Sequence, residues 1–329
     1  AECVVHGTTI WKSDLNTHSA LRTPHSALRT PHSVSVVIPT YNRAVMLREA
    51  VGSVLEQTLA AREIVIVDDG STDETAEAVE AFAAGGARIV YLSGEHENRR
   101  GPARNRGVAA TTEELVAFLD SDDRWLPERL EKQVVAMAGS AAGFGFCNFQ
   151  RFDESGPMER PFLPDGADYG AGILSGLLLE PLIVSSTLVV RRETFDAVGG
   201  FADLRMNEDY ELTLRLATAY PACYVPEVLV EMRQHAGRTS FSHGELPLLD
   251  HVAILEGFLE GHPALTHEER AAGRAGLANL HYKLARHYLA ADDVARARRH
   301  LRALFRLRPW DRRMPGAYLR SWVRRDDGG

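Results

Sequence analysis

Three short apolar runs, Val34–Pro39 (VSVVIP) and Glu63–Val67 (EIVIV), both rich in β-branched residues, and Leu115–Leu119 (LVAFL), each stop at a polar or acidic cluster. The clusters are Thr40-Tyr41-Asn42, Asp68-Asp69 and Asp120-Ser121-Asp122-Asp123. Runs this short and this apolar suit strands buried on both faces, as in a parallel sheet, and they leave few folds open. Helical patterns lie between them. Leu47, Val51, Val54 and Leu55 recur at helical spacing, and Ser71 with Glu74 is spaced as a capping box for a helix running to Ala84. Arg88–Leu92 reads as a further strand, and a helix from about Pro102 leads back to Leu115. Strand alternating with helix predicts an α/β fold around a Rossmann-like, mostly parallel sheet. In such sheets the ligand sits beyond the carboxyl ends of the strands, which is where the polar clusters fall.

Aspartate is a poor strand residue, and carboxylates serving solubility alone would be scattered along helices. Asp120, Asp122 and Asp123 repel one another unless solvent, hydrogen bonds or a cation offset the repulsion. Alone, an Asp-x-Asp pair also fits a solvated turn. With the other two clusters in register it points to a pocket for a ligand that carries hydrogen-bond donors and a cation. Paired hard oxygen ligands suit Mg²⁺ or Mn²⁺, ions that keep waters and bridge to phosphates. Either Asp122 or Asp123 could be the main metal ligand.

Six segments extend the pattern: VSVVIPTYNR (34–43), EIVIVDDGSTDET (63–75), GPARNRGVAAT (101–111), VAFLDSDDRWLPERLE (116–131), VGGF (198–201) and NEDYEL (207–212). In order and spacing, across about Val34–Ser240, they resemble the family 2 glycosyltransferases of the GT-A fold. The resemblance implies transfer of a sugar from a nucleotide-sugar donor, most commonly a UDP-sugar, to an acceptor, with inversion at the anomeric carbon. It implies that Pro39, Thr40, Tyr41 and Asp69 hold base and ribose. Asp120, Ser121 and Asp122 would serve the metal and diphosphate, with Asp209 as the base. Arg104 resembles the arginine of the family's Ala-Arg-Asn, placed to orient an Asp-x-Asp carboxylate or touch the nucleotide; a surface salt bridge is the plainer alternative. His235 stands where many relatives carry a histidine near the metal or diphosphate, so it is a candidate third ligand or a structural histidine.

The chemistry agrees with that mapping. A departing diphosphate needs its charge neutralised, and a single displacement needs one base for the acceptor hydroxyl. Asp209 opens a helical pattern (Tyr210, Leu214, Leu216), and a helix N-terminus favours a carboxylate. Of Asp68 and Asp69, one reaches the ligand and the other supports the turn. Ser185-Ser186 reads as packing.

Residues 34–243 form the expected GT-A domain, and 244–329 a helical extension. Within the extension, Leu284–Pro309 looks like one tetratricopeptide-type helix pair. The net charge of −8 is uneven: eleven arginines between Arg296 and Arg325 against Asp311 alone give that stretch +10, leaving −18 for the rest. The acidic body disfavours nucleic acid, whereas the basic end, with Trp310, Tyr318 and Trp322, suits peripheral contact with a membrane or a lipid-phosphate acceptor. A carbohydrate or a small-molecule acceptor fits equally. Residues 1–33 contain HSALRTP twice (18–24 and 25–31) and read as a disordered leader or a cloning-derived duplication. Three scattered cysteines (3, 147, 223) make no disulfide or zinc framework, which favours a reducing, cytoplasmic compartment. Tyr169–Val190 is apolar enough for a membrane span, but Glu180-Pro181 and Ser185-Ser186-Thr187 interrupt it, so a buried helix, a turn and a strand are expected. Two other classes compete with the transferase. A nucleotidyltransferase would need a GxGTR loop where Pro39–Asn42 stands, and a non-catalytic binder would have lost an aspartate of the Asp-x-Asp or Glu-Asp pairs.

Overall fold

The structure, a computed structural model, describes residues 33–158, 161–164, 169, 172–235, 244–311 and 313. The duplicated leader up to His32 lies outside these residues, as do Arg320, Arg324, Arg325, Tyr318 and Trp322 of the tail.

Four strands form a parallel limb in the order β3 (Ile89–Ser93), β2 (Glu63–Asp68), β1 (Val34–Thr40), β4 (Leu115–Phe118). Alternate residues enter opposite apolar layers. Val37, Val65, Val67, Val116 and Phe118 face one side, while Val36, Ile38, Ile64, Ile66 and Ala117 face the other. That double burial is why these runs are continuously apolar. The helices α1 (Ala44–Leu55), α2 (Thr75–Ala84) and α3 (Arg100–Ala110) connect the strands. In register, Thr40 lies beside Asp68 and Val37 beside Phe118, so the polar ends of β1, β2 and β4 share one edge.

The sheet is mostly parallel, as expected, but becomes mixed beyond β4. β8 (Val189–Arg191) runs antiparallel to β4 and to β6 (Phe144–Asp153); β9 (Ala222–Arg233) runs parallel to β6. The two-residue β5 (Arg124–Trp125) pairs antiparallel with β9, and β7 (Gly156–Pro157) with β6. The cause is local: the chain turns at Asp120–Asp123 and enters β5 at once instead of a helix. That pairing carries the end of β9 to the acidic turn. α4 (Arg129–Ala138) follows β5.

The apolar stretch Tyr169–Val190 supplies α5 (Ile173–Leu179), a short 3₁₀ turn at Ser185–Thr187 and β8, and no helix among the described residues is long and apolar enough to cross a membrane. α6 (Arg192–Ala197) and α7 (Glu208–Ala219) follow. The C-terminal helices are α8 (Leu246–Gly261), α9 (His267–Ala290) and α10 (Val294–Leu307). Thr266 and Glu269 form a complete capping box on α9. The box expected at Ser71 and Glu74 does not form. Ser71 instead donates from its backbone and hydroxyl to Asp68, at 2.9 and 2.6 Å, and Asp73 takes over the helix entrance by accepting from Thr75.

Candidate active site

At the end of β2 the two aspartates divide their roles. Asp68 is buried and accepts from Ser71 and from the Tyr91 hydroxyl at 2.5 Å, which fixes the turn. Asp69 lines the cavity beside Pro39, Thr40 and Tyr41, and its carboxylate accepts from the backbone N–H groups of Glu97 and Asn98 at 3.1 and 2.8 Å. Tyr41 stacks on His96, ring centroids 3.8 Å apart. The Thr40 hydroxyl is buried without a partner.

The acidic turn gathers Asp120, Asp122 and Asp123, whose nearest carboxylate oxygens lie within 4.8 Å of one another. Their partners differ. Asp123 is 1% exposed and is held by the Ser186 hydroxyl at 2.7 Å and the Arg233 backbone N–H at 3.1 Å, so it shapes the turn. Ser186 also accepts from the Asp120 backbone N–H at 3.1 Å. Asp122 meets Arg43 at 2.9 Å and His235 Nε2 at 3.0 Å through the same carboxylate oxygen. The side chain of Asp120 keeps 27% exposure toward the cavity while taking a 2.5 Å hydrogen bond from Arg104.

Arg104 is a buried clamp and not a surface pair. From α3 it reaches Asp120 with one nitrogen and Glu208 with the other, at 2.5 and 2.6 Å. Burial works against its charge, but Asp120 and Glu208 outweigh burial and raise its pKa above the ordinary value. Glu208 also takes Arg100, at 3.4 Å.

Asn207, in the left-handed region at φ +57°, turns the chain into α7, and its side-chain amide donates to the Pro247 carbonyl at the start of α8, at 2.9 Å. Immediately after it, Glu208 points into the clamp and Asp209 toward the cavity. Asp209 accepts from its own helix at Tyr210 N–H, 2.8 Å, and from Ser185 N–H at 3.4 Å. Burial pushes its pKa from 3.8 up to about 6, Glu208 adds to the rise, and Arg104 and Arg100 oppose it. Asp209 stands in the first turn of α7, yet its pKa is raised, so desolvation outweighs any stabilisation by the helix N-terminus.

These groups line one cavity of about 700 Å³ that contains Pro39, Thr40, Tyr41, Asp69, Arg104, Asp120, Ser121, Asp122 and Asp209. His235 stands outside that lining but touches it through Asp122. Three participants were not assigned from sequence. Arg43 ends a quoted segment, yet its contact with Asp122 depends on a loop-to-loop approach. Glu208 as the partner of Arg104 depends on α3 meeting α7. Ser186, read as packing, in fact bonds both Asp120 and Asp123. Serines next to an apolar run were the available signal.

A mixed sheet with a carboxylate-lined crevice at its strand ends, completed by a helix that starts Glu-Asp, defines the GT-A class. Solved structures agree on the fold. The mannosyltransferase PcManGT from Pyrobaculum calidifontis, in complex with GDP-Man and Mn²⁺, matches with a TM-score of 0.60 over 90% of this chain and 87% of its own, at 20% identity. S. aureus TarS 1–349 in complex with UDP-GlcNAc matches at 0.54 over 82% and 90%, at 19% identity. Sequence similarity goes further. The family described as Glycosyl transferase family 2 matches residues 35–199. An uncharacterized glycosyltransferase of Rickettsia prowazekii (strain Madrid E) is 30% identical over 241 residues, 72% of this chain and 73% of its own length. The chain therefore belongs to glycosyltransferase family 2. Of longer Rickettsia glycosyltransferases it spans only 18% to 20%.

Proposed function

We propose that the chain moves a sugar from a nucleotide-diphosphate sugar to an acceptor hydroxyl in one inverting displacement, with Asp209 as the base. One observation carries the reading. Among the described carboxylates of the cavity, Asp209 has no ion pair. Asp69 pairs with His96, Asp120 with Arg104, Asp122 with Arg43 and His235, and Glu208 with Arg104 and Arg100. A base must be unencumbered and must hold a proton well enough to take one from a hydroxyl. Burial gives Asp209 that basicity.

The donor's base and ribose fit between Tyr41, Pro39, Thr40 and Asp69, where the unpartnered Thr40 hydroxyl supplies a donor and acceptor. A UDP-sugar is the favoured donor from the family resemblance; the two structural neighbours hold a uridine and a guanosine nucleotide sugar. The Asp120–Asp122 oxygens form a donor set of the kind Mg²⁺ or Mn²⁺ takes, with His235 at its edge and Ser121 in the lining. A divalent ion held there would neutralise charge developing on the departing diphosphate. Arg104 orients Asp120 toward that position and keeps Glu208 away from the acceptor, leaving Asp209 to receive the proton.

The test is Asp209→Asn against a panel of nucleotide sugars. Turnover should fall by on the order of 10²–10⁴ while donor affinity stays close to that of the unaltered chain. Near-normal turnover would remove Asp209 as base, and weaker donor binding with normal saturated turnover would move it to the donor site. In parallel, a chelator should abolish transfer and Mn²⁺ or Mg²⁺ should restore it. Transfer that survives chelation takes the metal out of the reaction.

A further inference from the structure

Helix α10 presents a face that the cavity does not use. Its Ala297, Leu301 and Leu304 are buried against α9. Arg299, Arg302, Phe305 and Arg306 are exposed. At about 100° per residue these four fall within an arc of about 120°. Beyond the helix end Arg308 and Trp310 are exposed too, Trp310 at 94% and Phe305 at 53%. Ion pairs in this region join Arg296 to Glu245 and Asp293, and Arg313 to Asp311; none among the described residues reaches Arg299, Arg302 or Arg306. Between Val294 and Trp310 the sequence has no acidic residue and no Ser, Thr, Asn or Gln.

We propose that this face docks the chain on an anionic lipid bilayer. The proposal does not rest on the sugar-transfer reading. A row of guanidinium groups with large aromatics left in water matches a surface that is negative at the headgroups and apolar beneath them. Phe305 and Trp310 would enter the interface while the arginines stay at phosphate level. A nucleic-acid surface would also attract the charge, but the rest of the chain is strongly acidic.

The experiment is co-sedimentation of the full chain with vesicles of phosphatidylcholine, alone or mixed with phosphatidylglycerol. The chain should bind the anionic vesicles, ignore the neutral ones and be released by salt. Arg299→Gln/Arg302→Gln/Arg306→Gln should lower partitioning by about 100-fold, since each arginine near an anionic surface contributes about fivefold. Phe305→Ser should weaken binding at low salt with an unchanged melting temperature, because the side chain is exposed. Should the triple variant lose its fold, the salt release and Phe305→Ser still decide. Equal binding to neutral vesicles, or full binding by the triple variant, overturns the proposal. So does tighter retention on duplex DNA than on anionic vesicles at the same salt.

Discussion

Glu208 and Asp209 are neighbours with opposite environments, and the contrast sets their chemistry. Glu208 is 2% exposed but neutralised by Arg104 and Arg100, whereas Asp209 is desolvated, makes no ion pair among the described residues and feels those two arginines only at longer range. A raised carboxyl pKa means that the folded chain binds this proton more tightly than the unfolded chain does. Stability is therefore lost as pH rises from the unfolded value of 3.8 through about 6, and the cost is complete above that. Asp209→Asn should thus be more stable than the unaltered chain at pH 7–8, by roughly 1–2 kcal/mol after allowing for its contact with cavity solvent, and no more stable near pH 4. Thermal melts at the two pH values check this. If Asp209 is the base, as proposed, turnover of the unaltered chain should fall as pH drops through about 6, where that carboxylate becomes protonated. At this scale the sequence was informative about which strand ends line the cavity, but not about which aspartate of each cluster does so: Asp69, Asp120 and Asp122 line it, while Asp68 and Asp123 hold turns. It was silent on their partners: the Arg104–Glu208 contact spans 104 positions and is made only by the fold.

Elements meet here through missing side chains as much as through apolar ones. α3 lies so close to β1 and β2 that a methyl group on Gly107 would collide with Val37 and Val67. Such closeness is what lets Arg104, three residues earlier on α3, reach Asp120. Gly107→Ala should cost roughly 1–3 kcal/mol by overpacking, measured by denaturant unfolding. Combined with Val37→Ala, which removes one collision, the loss should be smaller than the two single losses added together. Additive losses would show that the helix shifts as a whole instead of straining at this contact. The parallel limb was legible because double burial leaves an unbroken apolar run. The mixed limb was not, because β5 is two residues long and its pairing with β9 has no local signature. The false capping box at Ser71 has the same origin: Asp68, three residues upstream, competes for the hydroxyl and wins.

For the whole molecule, the sequence change near residue 244 looks like the edge of an appended unit, yet packing runs through it. One apolar cluster contains Val37, Phe118 and Leu177 together with Leu255, Leu280 and Tyr288 of α8 and α9. α9 approaches α5 so tightly that a Cβ on Gly276 would meet the Leu178 carbonyl oxygen, and His251 of α8 lies against Tyr210, ring centroids 4.1 Å apart. Tyr210 adjoins Asp209, so the helices also support the carboxylate proposed as the base. The helical region and the sheet should consequently unfold together. Calorimetry of the full chain should give one transition whose calorimetric and van't Hoff enthalpies agree. Leu255→Ala, at a side chain 1% exposed, should lower that transition by about 2–5 kcal/mol without splitting it. A chain ending at residue 243 would leave Leu174, Leu177 and Leu178 uncovered and should be insoluble or molten. Two separable transitions, or a soluble and cooperative 34–243 fragment, would mean that the C-terminal helices are an independent module resting on the sheet.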